Sequence, residues 1–285
     1  MPYSYKLIHV ETTEALATVT LDNPPANVIT MELYSEMAAL IDELASDRSL
    51  SVVVIKSADP DFFMAHFDVE LLLQIGAGTV EEAVAINESF QTMLNKLRTM
   101  DKVVIGQIEG RVGGGGAEIA MNFDMRFGVK DKTIFNQMEV PLGILPGGSG
   151  TQMLPRLIGR GRAMEIILGA GDIDAETAER WGLLNRIFPA DEIDGWTRRL
   201  AERICLYPTA ALRNAKRAIN CAEQPLADGL TSESELFLEL LFSNNAIRQM
   251  ERFMTLGGQT RAMELRMADL SQAVCGGDTL AADTD

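Results

Sequence analysis

Tyr5–Val10 and Ala15–Leu21 are short β-prone runs separated by the polar Glu11-Thr12-Thr13-Glu14, a pattern that predicts a hairpin opening a sheet. Asn23-Pro24-Pro25 ends the second run. Beyond Thr30, the apolar Leu33, Met37, Leu40, Ile41 and Leu44 recur on one helical face, so a helix capped by Thr30 is expected to run to about Ala45. Val52–Ile55 is a solid apolar run of strand length, and Lys102–Ile108 repeats its character. Runs of that kind suit strands covered on both faces, which places the two side by side in a parallel sheet.

The next segment changes character. Glu109-Gly110-Arg111-Val112 leads into four glycines, Gly113 to Gly116, and a helix is expected from about Ala117. Asp124–Val129 and Thr133–Phe135 read as further strands, and a second glycine-rich loop, Pro146–Gly150, precedes a helix through Leu157. From residue 160 the spacing turns mostly helical, over Arg162–Leu168, Ala175–Trp181, Glu192–Leu206 and Thr209–Ala222, with a short strand at Leu183–Phe188. Leu226–Leu270 is helical in pattern, interrupted near Gly257-Gly258, and the chain ends in small and acidic residues. The pattern as a whole predicts an α/β domain followed by a helical region.

Composition narrows the chemistry. The chain has 285 residues, 47% of them hydrophobic, enough to bury a core without disulfides. Three cysteines (Cys205, Cys221, Cys275) without a pairing pattern suit a reducing compartment. Two histidines, His9 and His66, and no Cys-x-x-Cys argue against a structural zinc site. A formal charge of -16 makes nucleic acid a poor partner. The opening MPYSYKLIHVETTEA lacks the basic start and apolar core of a signal peptide, and no run reaches the ~18 apolar residues of a membrane span. A cytoplasmic protein with no membrane association is the expectation.

Glycines between a strand and a helix can turn tightly and bring N–H groups close to a ligand. They equally serve close packing, and glycines alone do not decide between the two. Two phosphate motifs can be tested. A P-loop needs Gly-Lys-Ser/Thr, but Ala117-Glu118 follows Gly116. A Rossmann fingerprint needs Gly or Ala where Glu118 stands, and it belongs to the first βαβ unit rather than a loop this far into the chain. Glu118 is expected in the first turn of its helix, stabilised there as the anion, although an ordinary helix-start acid reads the same way. Glu139 lies among apolar neighbours just before the second glycine loop; its plainer reading is a solvated carboxylate at a strand end. Together the two make a general acid/base arrangement.

At these residues the chain resembles the crotonase (enoyl-CoA hydratase/isomerase) superfamily. The likeness runs through Val103–Asp124, then Phe135–Arg156 with Glu139, Leu142-Gly143, Pro146-Gly147 and Gly150-Thr151-Gln152 in order. It continues through Ala163–Leu168 and Ala175–Pro189, and Leu21–Asn27 and Val52–Ile55 match the opening. The resemblance implies an α/β fold, a crotonase-like ββα spiral with two near-perpendicular sheets. It would span residues 1–205, with a helical trimerisation region over 206–270 and a disordered tail over 271–285. It implies an enzyme that binds an acyl-CoA thioester as substrate, with no tightly bound cofactor, in a homotrimer or dimer of trimers.

By the same resemblance, the N–H groups of Phe67 and Gly115 form an oxyanion hole. Glu118 and Glu139 place a water and supply a proton, and His66, Asp68 and Gly147 are candidates for the pocket wall. Three positions depart from the family pattern. His66 replaces a glycine, which requires an uncommon backbone conformation or a reshaped loop. Glu109 replaces an asparagine. Met250–Met254 and Gln259-Thr260-Arg261 stand where the family has Phe-x-x-Lys-Arg. A hydratase adding water to a 2-enoyl-CoA is the first reading. An isomerase or a CoA-independent β-diketone C–C hydrolase is the alternative, and a non-catalytic scaffold is disfavoured by the retention of both glutamates.

Overall fold

The structure, a computed structural model, describes residues 3–276. It falls into two compact units that divide between Ala201 and Glu202. The first begins with the hairpin β1 (Ile8–Thr13) and β2 (Leu16–Leu21), paired antiparallel from Ile8↔Leu21 to Thr13↔Leu16. The turn is at Glu14-Ala15, with Glu14 at φ 53°, and not at the whole of Glu11–Glu14 as the polar run suggested. β1 is an edge strand with only Ile8 buried, so Glu11, Thr12 and Thr13 pair in the sheet with their side chains in solvent.

Helix α1 (Met31–Ser46) starts where expected, with Thr30 Oγ1 accepting the Leu33 N–H at 3.2 Å. Its buried face is Leu33, Tyr34, Met37, Leu40, Ile41 and Leu44. The chain then repeats one unit three times. β3 (Val52–Ser57) and β4 (Phe62–Met64) precede α2 (Val69–Ala77) and α3 (Val80–Thr99). β5 (Val103–Ile108) and β6 (Arg111–Gly113) precede α4 (Gly114–Met121). β7 (Met125–Val129) and β8 (Ile134–Asn136) precede α5 (Gly150–Ile158) and α6 (Arg160–Gly169). β9 (Ile173–Asp174), α7 (Ala175–Trp181), β10 (Arg186–Phe188) and α8 (Ile193–Cys205) follow.

Each ββ pair sends one strand to each of two sheets. The larger has the order β1-β2-β3-β5-β7-β10, parallel after the hairpin, with Val52 opposite Val103 as the apolar runs implied. The smaller has the order β4-β6-β8-β9. Every ββα turn therefore crosses between the sheets and returns through a helix, the spiral that the sequence resembled. Between the sheets and helices lies one buried cluster that includes Phe63, Met64, Ile108, Ile119 and Phe123.

The buried Arg126 fixes the end of α4. Its guanidinium donates to the carbonyls of Phe123 at 2.5 Å, Leu183 at 2.9 Å and Ala120 at 3.4 Å. Burial pulls its pKa down to about 10, but it remains a cation at neutral pH, facing the carbonyl end of a helix.

The second unit holds α9 (Thr209–Asn220), α10 (Leu226–Leu241), α11 (Asn244–Thr255), α12 (Arg261–Glu264) and α13 (Met267–Gly276). α10 and α11 have no buried residue, and Leu226, Phe237, Phe242 and Met254 are all more than half exposed. The tail expected from residue 271 does not begin there, because residues 271–276 complete α13, with Ala273 and Val274 buried. Residues 277–285 of that expected tail lie outside the described residues. No helix among the described residues is long and apolar enough to cross a membrane.

Candidate active site

Helix α4 begins at Gly114, three residues earlier than the glycines suggested, so Gly114 to Gly116 form its first turn rather than a loop before it, and Gly113 ends β6. The packing reading of these glycines is correct at Gly116, where a Cβ would stand 2.5 Å from the Met64 carbonyl oxygen. The ligand reading survives at Gly115. Its N–H lies in the first turn, where no intrahelical acceptor exists. A Cβ on Gly115 would come within 3.3 Å of the Phe67 Cβ, so the two residues are neighbours across the cavity wall.

Phe67 is held by a bridge to Ile29. The Ile29 N–H donates to the His66 carbonyl at 2.8 Å, and the Asp68 N–H donates to the Ile29 carbonyl at 3.1 Å. Alternation along an extended chain turns the N–H of Phe67 to the opposite side from these two bonds. His66 is not among the residues with positive φ, so the replacement of glycine is met without left-handed backbone. Its Nδ1 lies 2.9 Å from the Phe67 carbonyl oxygen. A carbonyl can only accept, so Nδ1 donates to it. Asp68 is not part of the cavity wall. It caps α2, its carboxylate accepting the Glu70 N–H at 2.9 Å.

Glu118 sits in the second turn of α4, not the first, and is 3% exposed. Its carboxylate reaches the second glycine loop, where Oε1 accepts the N–H groups of Ser149 and Gly150, both at 2.7 Å. Stabilisation as the anion by its own helix end, the sequence expectation, is replaced by a contest. Burial raises its pKa, and N–H groups of Gly150, Ser149 and Gly148 work against that rise. Asn122, one turn further along α4, donates to the Glu118 carbonyl at 2.8 Å and to Ser149 Oγ at 2.9 Å, tying the helix to the loop. Gln91 of α3 donates to the Gly147 carbonyl at 2.8 Å and holds the same loop from its other side. Gly148 allows the close approach, since a Cβ there would lie 2.3 Å from the Phe90 ring and 2.7 Å from Glu118 Oε2.

Glu139 follows β8 and opens a short 3-10 turn, Val140–Leu142. It is buried rather than a solvated strand end. Its pKa is pushed up to about 7, first by burial and further by the charge of Glu118, against the pull of its own backbone N–H. The buried Gln137 amide has its nitrogen toward this carboxylate, because an amide oxygen there would face only acceptors. In that orientation it donates to Oε2 at 2.9 Å and Oε1 at 3.0 Å.

These groups enclose a cavity of about 220 Å³. Glu118, Glu139, His66, Gly114, Gly115 and Gly147 line it together, so of the candidate residues only Asp68 falls outside. Apart from Asn87, the side chains of the remaining wall are apolar, among them Val69, Leu72 and Ile75 of α2, Ile86 and Phe90 of α3, and Leu145. Two carboxyl groups with raised pKa, facing a dry wall and bordered by N–H donors, can hold a water and exchange a proton with a bound acid derivative. The sequence reading missed Gln137, Asn122, Ser149 and Gln91, which touch the glutamates or their donors. Their signal, the burial of Asn122 and Gln137 and the contacts that Ser149 and Gln91 make at the second glycine loop, exists only once the loops are placed.

The profile of the enoyl-CoA hydratase/isomerase family matches residues 11–257. The chain belongs to that family. A probable enoyl-CoA hydratase of Mycobacterium tuberculosis is 33% identical over 236 residues, covering 82% of this chain and 89% of the relative. A short-chain-enoyl-CoA hydratase of Clostridium acetobutylicum is 34% identical over 230 residues, covering 79% and 85%. Among family members of known structure, an enoyl-CoA hydratase from Geobacillus kaustophilus superposes with a TM-score of 0.84 at 31% identity, covering 89% of this chain and 95% of the other. Membership makes this chain an enzyme of the crotonase type, with the ββα spiral as its fold.

Proposed function

We propose that the protein adds water to a 2-enoyl thioester of coenzyme A. The observation that carries the proposal is the meeting of Glu118 and Glu139 in a single cavity beside Phe67 and Gly115. The thioester oxygen accepts the N–H groups of Phe67 and Gly115. Glu118, whose backbone donors favour the anion, takes a proton from water as the water oxygen bonds to C3. The displaced electron pair moves onto the thioester oxygen, where preorganised donors typically contribute about 3 kcal/mol each to the barrier. Glu139, with a pKa near neutrality, delivers a proton to C2. Coenzyme A enters as part of the substrate, and no other cofactor has a role.

A panel of enoyl-CoA thioesters and β-diketones, read by mass spectrometry, tests the proposal. Gain of one water on a thioester supports it. Cleavage of a diketone without any thioester hydration overturns it in favour of a C–C hydrolase.

The exposed apolar side chains of α10 and α11 support assembly as a homotrimer or dimer of trimers, each copy covering such faces of another. Light scattering that finds a stable monomer of 31.2 kDa at micromolar concentration overturns the assembly.

A further inference from the structure

Helix α2 has an apolar stripe that its own unit leaves only half-buried. Val69, Leu72 and Ile75 recur at i, i+3 and i+6, the spacing of one helical face, and all three line the cavity. None of them is buried, and α2 as a whole has no buried residue. The apolar stripe of a surface helix normally packs on the core; this one borders the cavity and stays half-buried. α3 faces the same space with Ala83 and Ile86, and with Phe90, which is buried. Across the cavity stand Leu142, Ile144 and Leu145, exposed by 48%, 47% and 61%. Among the described residues, the polar side chains on the wall are those of His66, Asn87 and the two glutamates. The apolar surface therefore begins at the carboxylates and continues outward between α2, α3 and residues 142–145 into solvent. It has no polar floor at which a short chain would have to end.

We infer that this site selects acyl groups with a long apolar tail over the four-carbon crotonyl group. The inference rests on the hydratase reading for the head of the substrate and adds the chemistry of its tail. C1 to C3 lie at the N–H donors and glutamates, and the methylenes beyond C4 lie along Leu72, Ile75 and Ile86. Each methylene leaves water for apolar surface that is already formed, a gain of about 0.8 kcal/mol, or roughly fourfold in kcat/KM when burial is complete. The tail needs no charged or hydrogen-bonding group, and a hydroxyl or carboxylate at its far end loses the advantage.

The test is a series of trans-2-enoyl-CoA thioesters from C4 to C12, together with calorimetric binding of the saturated butyryl- and decanoyl-CoA. The expected result is a rise of roughly two- to fourfold in kcat/KM per methylene up to about C10, with decanoyl-CoA bound at least tenfold more tightly than butyryl-CoA. Ile75→Ser and Ile86→Ser, both at partly exposed positions, should flatten the dependence on chain length. A rate that is flat or falls from C4 onward overturns the inference while leaving the hydratase reading intact. Absence of hydration at every length, with decanoyl-CoA still bound more tightly, overturns the hydratase reading and keeps the tail site. Equal binding of the two saturated thioesters overturns the tail site whatever the rates.

Discussion

The two glutamates of the cavity are both buried and both raised in pKa, yet they are held in opposite ways. Glu118 stands on a helix whose far end is fixed by Arg126, and backbone N–H groups of another loop grip its carboxylate. Backbone N–H groups can only donate, so this grip favours one charge state. Glu139 stands in a turn and is met by the side-chain amide of Gln137. An amide offers a donor end and an acceptor end, and rotation by half a turn lets it serve a carboxylate or a carboxylic acid equally well. In the proposed mechanism, the difference gives the adaptable partner to the glutamate that delivers a proton to C2 and the inflexible one to the glutamate that takes a proton from water.

The sharpest way to break this comparison is to remove each charge. Glu118→Gln and Glu139→Gln are each expected to lower hydration turnover by roughly two to four orders of magnitude, the scale of a positioned acid or base. Near-normal turnover in both folded variants removes the mechanism. The next effect separates the two grips. Gln137→Leu deletes a donor to the Glu139 anion, so turnover should fall by about tenfold, the scale of a lost hydrogen bond to a charge. The alkaline limb of the pH–rate profile should move upward, because a less stabilised anion keeps its proton longer. In the parent enzyme that limb is expected to fall through the region near 7, where Glu139 would give up the proton that the proposed mechanism has it deliver. It reports the glutamate pair as a unit. Asn122→Leu loosens the Ser149 loop but leaves its N–H groups in place, so it should lower turnover without moving the limb. A shift in the Asn122 variant and none in the Gln137 variant would reverse the comparison.

A smaller effect is expected in stability. The folded pKa of Glu139, about 7, lies above the unfolded value of about 4.3. The folded state therefore keeps a proton that the unfolded state gives up. The associated stability is fully present below the unfolded value and is lost as pH rises through the folded one. Glu139→Gln, which never ionises, should melt a few degrees above the parent at pH 8 and show no gain at pH 4, in calorimetric scans. The smallest change belongs to His66→Ala. Enoyl-thioester turnover should stay within about threefold, the scale of one neutral hydrogen bond, since the imidazole is bonded to its own backbone. Complete loss of hydration in a folded His66→Ala assigns the imidazole a part in the chemistry.

Much of the fold was legible because its elements carry strong periodic signals. Thr30 places the start of α1 to the residue and the stripe from Leu33 to Leu44 brings its end within one, and the dry runs at Val52 and Val103 meet in the parallel sheet as their composition required. The start of α4 was misread because glycine has low helix propensity, and tertiary packing against Met64 overrides it. The hairpin turn was misread because an exposed edge strand admits polar residues that also suit a loop. Within the site, the order of Glu118 and Glu139 was readable, but the environment of each was not. The N–H groups that grip Glu118 come from a loop 31 and 32 residues away in sequence, whereas the cap role that removes Asp68 from the wall is local, made to Glu70 two residues on. The stripe of α2 was readable as amphipathic, but periodicity cannot tell a face that meets protein from one that meets a ligand.

The half-buried stripe of α2 also has a consequence in time. A helix of nine residues without a buried side chain has little tertiary packing to hold it closed. Its amides should exchange with deuterated solvent through small local openings, long before those of the strand β5, where Val104 and Ile105 are fully enclosed. An acyl tail lying along Leu72 and Ile75 would supply the missing packing. The substrate would then complete the hydrophobic structure of the enzyme for as long as it stays bound, and slower exchange in α2 would record its residence.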